Sequence, residues 1–176
     1  QLAGLDLRHV RARLIIDNKE QGDAFGEMSF TDFGVTGPII LTLSGQVVDA
    51  LRENRSVTVS IDLKPALNNQ KLDARLQRDC TTRGSEPMRS ILRGLLPAPL
   101  VPLCLAGTGI RPTRKGSRLS ASERDSLRTW LKDVQLVVTR HRPFSEAIVT
   151  AGGVDTREID PKTMESRQVR GLFMAG

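Results

Sequence analysis

The feature that most constrains this chain is a double change in its hydrophobic period. Val10 to Ile16 alternates, with Val10, Ala12, Leu14 and Ile16 on one face and Arg11, Arg13 and Ile15 on the other. That is the period of a half-buried strand. Val57 to Leu63 repeats the pattern, with Val57, Val59, Ile61 and Leu63 on one side. At Lys64-Pro65 the period becomes helical, and after residue 133 it returns to strands. Strands, a helical block and strands again predict an α+β fold. The early and late strands are expected to pair into one barrel-like sheet, antiparallel or mixed, with a small all-helical subdomain inserted between them. The expected domains are a discontinuous β domain over 1–63 and 134–170 and a helical subdomain over 64–133.

Within that frame, Asp17 to Asp23 is polar, contains Gly22, and predicts a hairpin turn. Phe25 to Thr31 is the return strand, with Gly26 weakening it or marking a bulge. Pro38 suits a first helical turn, and Ile40, Leu43, Val47 and Leu51 then recur at helical spacing, closed by Glu53, Asn54 and Arg55. In the helical block, Asn68 or Asn69 caps a helix with Leu72, Leu76 and Cys80 on one stripe. Ser85-Glu86-Pro87 opens a short helix carrying Ile91 and Leu95, and Leu103 to Ala106 ends another. Ser120-Ala121-Ser122-Glu123 is a capping box ahead of a helix that buries Leu127, Leu131 and Val134, with Trp130 at its edge. Strands are expected again at Leu136 to Thr139, Ala147 to Ala151 and Gln168 to Met174. No internal repeat and no low-complexity linker interrupts the chain.

Composition narrows the function classes. Aromatics make up only 3% of 176 residues, so the core is aliphatic and a stacking platform for single strands is disfavoured. The net charge of +6 suits nucleic acid, anionic lipid or a phosphate-rich cofactor, although the basic residues are spread along the chain. Cys80 and Cys104 share no motif spacing and read as buried free thiols of a reducing compartment, which points to a cytoplasmic protein. No apolar run approaches the ~20 residues of a membrane helix. The chain opens on Gln1 and closes on the apolar run Gly171 to Gly176. Both ends read as cuts in a larger protein.

Signals for chemistry are sparse. His9 and His141 lie far from the cysteines in sequence, and no metal site is expected. No serine or cysteine stands beside a base, and the carboxylates Asp32, Asp155, Glu158, Asp160 and Glu165 form no motif. There is no Gly-x-Gly-x-x-Gly after a strand and no phosphate-binding lysine loop. Two glycine segments remain: Phe33-Gly34-Val35-Thr36-Gly37-Pro38, leading into a helix start, and Thr150-Ala151-Gly152-Gly153-Val154, whose paired glycines permit close backbone approach or a turn.

These segments belong to a longer pattern. Gly26-Glu27-Met28-Ser29-Phe30-Thr31-Asp32-Phe33-Gly34-Val35-Thr36-Gly37-Pro38 resembles a signature of the HI0933-like flavoproteins (BaiN-like or YhiN-like), a family of NAD(P)/FAD-dependent oxidoreductases. Leu63-Lys64-Pro65-Ala66-Leu67, Lys71-Leu72-Asp73 and Leu95-Leu96-Pro97 fit it as well. The most specific match runs from Arg142-Pro143-Phe144 through Gly152-Gly153-Val154 and Ile159 to Ser166, ending at Gly171 to Gly176. The resemblance spans essentially the whole chain.

The resemblance implies that this chain is the family's insert, a barrel-like sheet bearing a helical subdomain, with 171–176 beginning the returning FAD-binding domain. It implies FAD in the intact protein with NAD(P)H as electron donor, and no cofactor held by this region alone. The implied partners are the FAD-binding domain of the same polypeptide and an unidentified small-molecule substrate, with neither membrane nor nucleic acid. The residues implied to face flavin or substrate are Phe33, Gly34, Thr36, Gly37, Thr150, Gly152 and Gly153, while the catalytic acid or base is unassigned. The family usually has a histidine where this chain has Asp32, which removes any imidazole role there. The competing readings are a protein-interaction domain and a nucleic-acid-binding module using Arg75, Arg78, Arg83, Arg89 and Arg93 for phosphate contacts.

Overall fold

The computed structural model describes residues 2–148 and 152–175. They fall into two compact units, Gln1–His141 and Arg142–Gly176.

The first unit begins with a long hairpin, β1 (Asp6–Ile16) and β2 (Lys19–Phe30). Asp17 and Asn18 both have positive φ, 49° and 62°, the backbone of a two-residue turn whose twist matches its strands. The turn is therefore tighter than the Asp17–Asp23 loop read from composition, and Lys19 to Asp23 joins the ladder. β3 (Val35–Thr36) adds to β2, and α1 (Pro38–Arg52) follows at once. β4 (Val57–Asp62) pairs with the other edge of β1, and β5 (Val134–Val137) pairs with β4. The resulting antiparallel sheet has the order β3-β2-β1-β4-β5. Register shifts between Leu7 and Val10 and between Leu14 and Ile15 add the local twist that curls it into a half-barrel.

Val10, Ala12, Leu14 and Ile16 are buried, as are Val57, Val59 and Ile61, so alternation identified the inner face correctly. α1 lies against that face through Ile39, Leu43 and Ala50, one position away from the expected start at Ile40. The phase is set by the sheet. A Cβ on Gly26 would stand 3.0 Å from Ile39 Cγ2, and one on Gly22 would stand 4.0 Å from Leu43 Cδ2. Gly26 leaves the space that Ile39 occupies, while Leu43 passes Gly22 at ordinary contact distance and Ile40, Val47 and Leu51 are only partly buried.

The helical subdomain occupies the chain between β4 and β5. α2 (Asn69–Thr82) starts where the Asn68 side chain accepts a hydrogen bond from Lys71 N at 2.9 Å, and it buries Leu72, Leu76 and Cys80. α3 (Met88–Ile91) runs into a 3-10 turn, and α4 (Leu100–Thr108) closes on Gly109 in the left-handed region. α5 (Ala121–Lys132) carries the complete Ser120/Glu123 capping box and buries Leu127 and Leu131. Trp130 lies across Gly107 of α4, where an added Cβ would meet its Nε1 at 2.7 Å.

β5 begins at Val134, two residues before the expected strand, because Val134 pairs with Ile61 directly at the helix exit. In the second unit the described residues contain two 3-10 turns, Phe144–Glu146 and Thr156–Glu158, and the bridges Ile159↔Ser166 and Glu165↔Phe173. The expected strand over Gln168 to Met174 contributes only that last bridge. Gly171, at φ 81° and with its N–H bonded to Glu165 Oε1 at 2.7 Å, turns the chain before a ladder can form. The expected strand at Ala147 to Ala151 falls partly on residues outside the described ones.

Candidate functional site

Phe33, Gly34, Thr36 and Gly37 come together in the first unit, on the short connection from β2 to α1. Thr31 N donates to Gly34 O at 2.8 Å and Thr31 Oγ1 donates to the same oxygen at 3.2 Å, which closes a tight loop through Asp32 and Phe33. Phe33 is 51% exposed at its tip. Thr36 then pairs with Ser29 in the sheet.

The two glycines have different structural reasons. Gly37 caps α1 at φ 106°, and a Cβ there would stand 2.9 Å from Met28 Cα and 3.0 Å from Glu27 O. Its close approach is to β2, so the missing Cβ lets the start of α1 pack against that strand. Gly34 has φ 149° with nothing within 4 Å of an added Cβ, so its backbone is open on that side. The connection therefore carries a half-exposed aromatic residue next to a bare stretch of main chain, chemistry suited to a flat, partly apolar group.

Gly152 and Gly153 are in the second unit, both at φ 118° and both exposed, with open space where a Cβ would be. Their conformation demands glycine. Thr150 lies outside the described residues.

A second cluster was not anticipated from sequence, and it lies where the sheet meets the helices. Arg13 Nη2 on β1 donates to Ser60 Oγ at 2.8 Å and lies 3.4 Å from Asp133 Oδ1. Ser60 Oγ in turn donates to Asp133. Lys132 forms an ion pair with Asp62 and donates to Lys64 O at 3.2 Å and Leu67 O at 2.9 Å. Asp62 also accepts from Lys64 N at 2.8 Å. A cavity lined by Arg11, Arg13, Asp62, Arg128, Lys132 and Asp133 opens beside them. Asp62 and Asp133 already have cationic or hydrogen-bonding partners, so the cluster is a polar joint and not an acid–base centre. Ser60 and Asp62 share with Thr58 the polar positions of an alternating strand, so the sequence marks them no differently from an ordinary solvent-facing row.

Other reactive groups are quiescent. Cys80 and Cys104 are free and buried. Burial pushes the Cys104 thiol up to about 12, and burial with the nearby Asp79 charge raises Cys80, so neither forms a thiolate nucleophile near neutral pH. Among the described residues no group of three His, Cys, Asp or Glu is arranged to hold a metal ion, and no helix is long and apolar enough to cross a membrane. Of the arginines considered for phosphate contacts, Arg75 and Arg78 lie against Asp79 and Arg83 against Glu86. Arg89 and Arg93 stand apart from carboxylates.

The half-barrel sheet with a helical insertion between its last two strands agrees with what a comparison with family models finds. The HI0933-like protein barrel and H2TH domain matches residues 1–149. The chain belongs to the HI0933-like family. Among curated relatives, this HI0933-like chain is 28% identical over 151 residues to a 3-dehydro-bile acid delta(4,6)-reductase of Clostridium scindens, covering 86% of this chain and 37% of that protein. It is 29% identical over 152 residues to a ribosomal RNA dihydrouridine synthase of Haemophilus influenzae, covering 86% and 35%. A ribosomal RNA dihydrouridine synthase of Escherichia coli is 28% identical over 158 residues, covering 89% and 37%. The HI0933-like chain thus spans a little over a third of the length of these relatives.

Proposed function

We propose that this chain is the insert of a flavin-dependent reductase, the part that covers the cofactor and walls the substrate cavity. The observation that carries the reading is the extent of the match: the family domain accounts for residues 1–149, while the matched stretch covers only 37% and 35% of two relatives. In this reading the β domain comprises 1–63 and 134–170, the helical subdomain 64–133, and 171–176 begins a returning FAD-binding domain. The same polypeptide's FAD-binding domain is then the principal partner.

FAD, reduced by NAD(P)H, would supply the hydride to an electron-poor substrate bond. The chain itself has no glycine-rich nucleotide fingerprint, so its residues fit a covering role and not the cradle of the dinucleotide. Phe33 would lay its ring beside the flavin or substrate, and Gly34 would let a planar group approach the main chain without a Cβ in the way. Gly37 would fix the direction in which α1 leaves the hairpin, and Thr36 its register. Gly152 and Gly153, with Thr150, would give a second close backbone approach. No residue here has a supported role as acid or base.

The relatives' names give two substrate classes, a bile acid and ribosomal RNA. A reductase insert is compatible with either.

The test is an FAD titration of this chain beside the longer polypeptide, with Phe33→Ala and Gly34→Val variants of the latter. The expected result is stoichiometric FAD binding by the longer protein only, with reductase turnover lowered at least about tenfold in both variants. A folded longer protein that binds no FAD would overturn the flavin assignment. Tight binding by the 176-residue chain alone would put the cofactor site in the wrong place.

A further inference from the structure

The charge of this chain is unevenly distributed. Residues 87–122 contain six Lys or Arg and no Asp or Glu, so the rest of the chain holds 20 cations against 20 anions. The whole net charge of +6 therefore belongs to one stretch of the helical subdomain. The fold gathers that stretch. The Arg111–Ser117 segment lies against the start of α3: Met88 N donates to Arg114 O at 2.8 Å, Arg89 N to Pro112 O at 3.2 Å, and Gly116 N to Glu86 O at 3.0 Å, while Pro87 bridges to Lys115.

Within this surface Arg114 is committed to Glu123. Arg89, Arg93, Arg111, Lys115 and Arg118 are exposed, and none of their side chains forms an ion pair or hydrogen bond among the described residues. Elsewhere in the unit cations are commonly paired, as Arg55 is with Asp17 and Arg124 with Asp73. Arg89 and Arg93, one helical turn apart, line a groove with Pro87 and Ser90. The one carboxylate at its border, Glu86, is held by Arg83 and Ser90.

We propose that this face, centred on Arg89, Arg93, Arg111 and Lys115, binds the phosphate backbone of a folded RNA. The choice of RNA among polyanions rests on the reductase reading taken together with the two relatives named as ribosomal RNA dihydrouridine synthases; the surface stands on its own. Four of its five unpaired cations are arginines, whose planar forks match phosphate oxygens. Trp130 is the single aromatic residue of the helical block and lies across Gly107. The face therefore offers no stacking platform and contacts the backbone of paired RNA, positioning it without reading bases. A lipid surface would call for apolar residues among the cations, whereas the groove holds Pro87 and Ser90.

The test is fluorescence anisotropy of a labelled RNA stem–loop with this chain, repeated from about 50 to about 200 mM salt. Five phosphate contacts predict a loss of affinity of about 100-fold or more over that range. The variant Arg89→Gln/Arg93→Gln/Arg111→Gln/Lys115→Gln should flatten the logarithmic salt slope by about 3. A matched variant, Arg8→Gln/Lys19→Gln/Lys71→Gln/Arg140→Gln, removes the same charge elsewhere and should bind within about twofold of the parent. Circular dichroism confirms that each variant is folded. Equal losses in both variants, no binding by the parent at the lower salt, or capture by phosphatidylserine vesicles as strong as by RNA would each overturn the proposal. No flavin enters this measurement and no RNA enters the FAD titration, so failure of either leaves the other standing.

Discussion

Lys132, the last residue of α5, is paired with the carboxylate of Asp62, the last residue of β4. One ion pair thus ties the point where the chain leaves the sheet to the point where it returns. The same ammonium donates to two carbonyls of the Lys64–Leu67 connection. Lys132→Met would leave the Asp62 carboxylate, 8% exposed, with only a backbone donor. Breaking a buried pair costs 3–5 kcal/mol, and the partial exposure of the lysine reduces this to about 2 kcal/mol. Urea unfolding should show that loss. Adding Asp62→Asn to Lys132→Met should recover part of it, and a double variant no more stable than the single one would refute a charge-pairing role.

Gly107→Ala separates helix propensity from packing. In a helix the change ordinarily gains about 1 kcal/mol. Here the new methyl would meet the indole of Trp130, and overpacking typically costs 1–3 kcal/mol. The expected outcome is a net loss of stability together with a red shift of the single tryptophan's emission as the ring is pushed outward. A stabilised protein with unchanged emission would show that the contact is slack.

The pair Arg83–Glu86 gives stability a specific pH dependence. The guanidinium and the Ser90 hydroxyl hold the Glu86 carboxyl at about 2, against its usual 4.5. Below the usual value the unfolded chain takes up a proton that the native chain refuses, so stability falls with falling pH and the contribution is gone once the native value is passed. Glu86→Gln should therefore flatten the acid limb of urea midpoints between about pH 5 and about pH 2 and lower the neutral midpoint by a matching amount, since the substitution removes the contribution that acidification would remove. An unaltered acid limb would assign the acid response to other carboxylates, such as Asp17 and Asp160.

Much of this fold was legible because its signals are local. Asn68 and Ser120 cap their helices through hydrogen bonds to their own first turns, and the alternation at Val57 to Ile61 needs no knowledge of the rest of the chain. The phase of α1 was not legible, since the space at Gly26 that seats Ile39 belongs to another element. The length of the first hairpin was missed for a different reason. Polar Lys19 to Asp23 looks like a loop, yet it is a strand because β1 offers it a partner. The candidate hairpin was legible as a motif, while the different jobs of Gly34 and Gly37 became distinct only in three dimensions. The joint formed by Arg13, Ser60, Asp62, Lys132 and Asp133 spans distant parts of the chain, and no spacing rule would have gathered it.

The pairing of Ile61 with Val134 has a consequence for engineering. Directly opposed residues of an antiparallel ladder lie about 5 Å apart, which a two-residue turn can bridge. The helical block is therefore a cassette carried on the tip of a β-hairpin. The sheet face beneath it displays Arg11, Arg13, Ser60 and Asp62, side chains that water would accept if the cassette were excised. Helices from a relative could be exchanged at this junction without redesigning the half-barrel, and with them the cationic stretch 87–122.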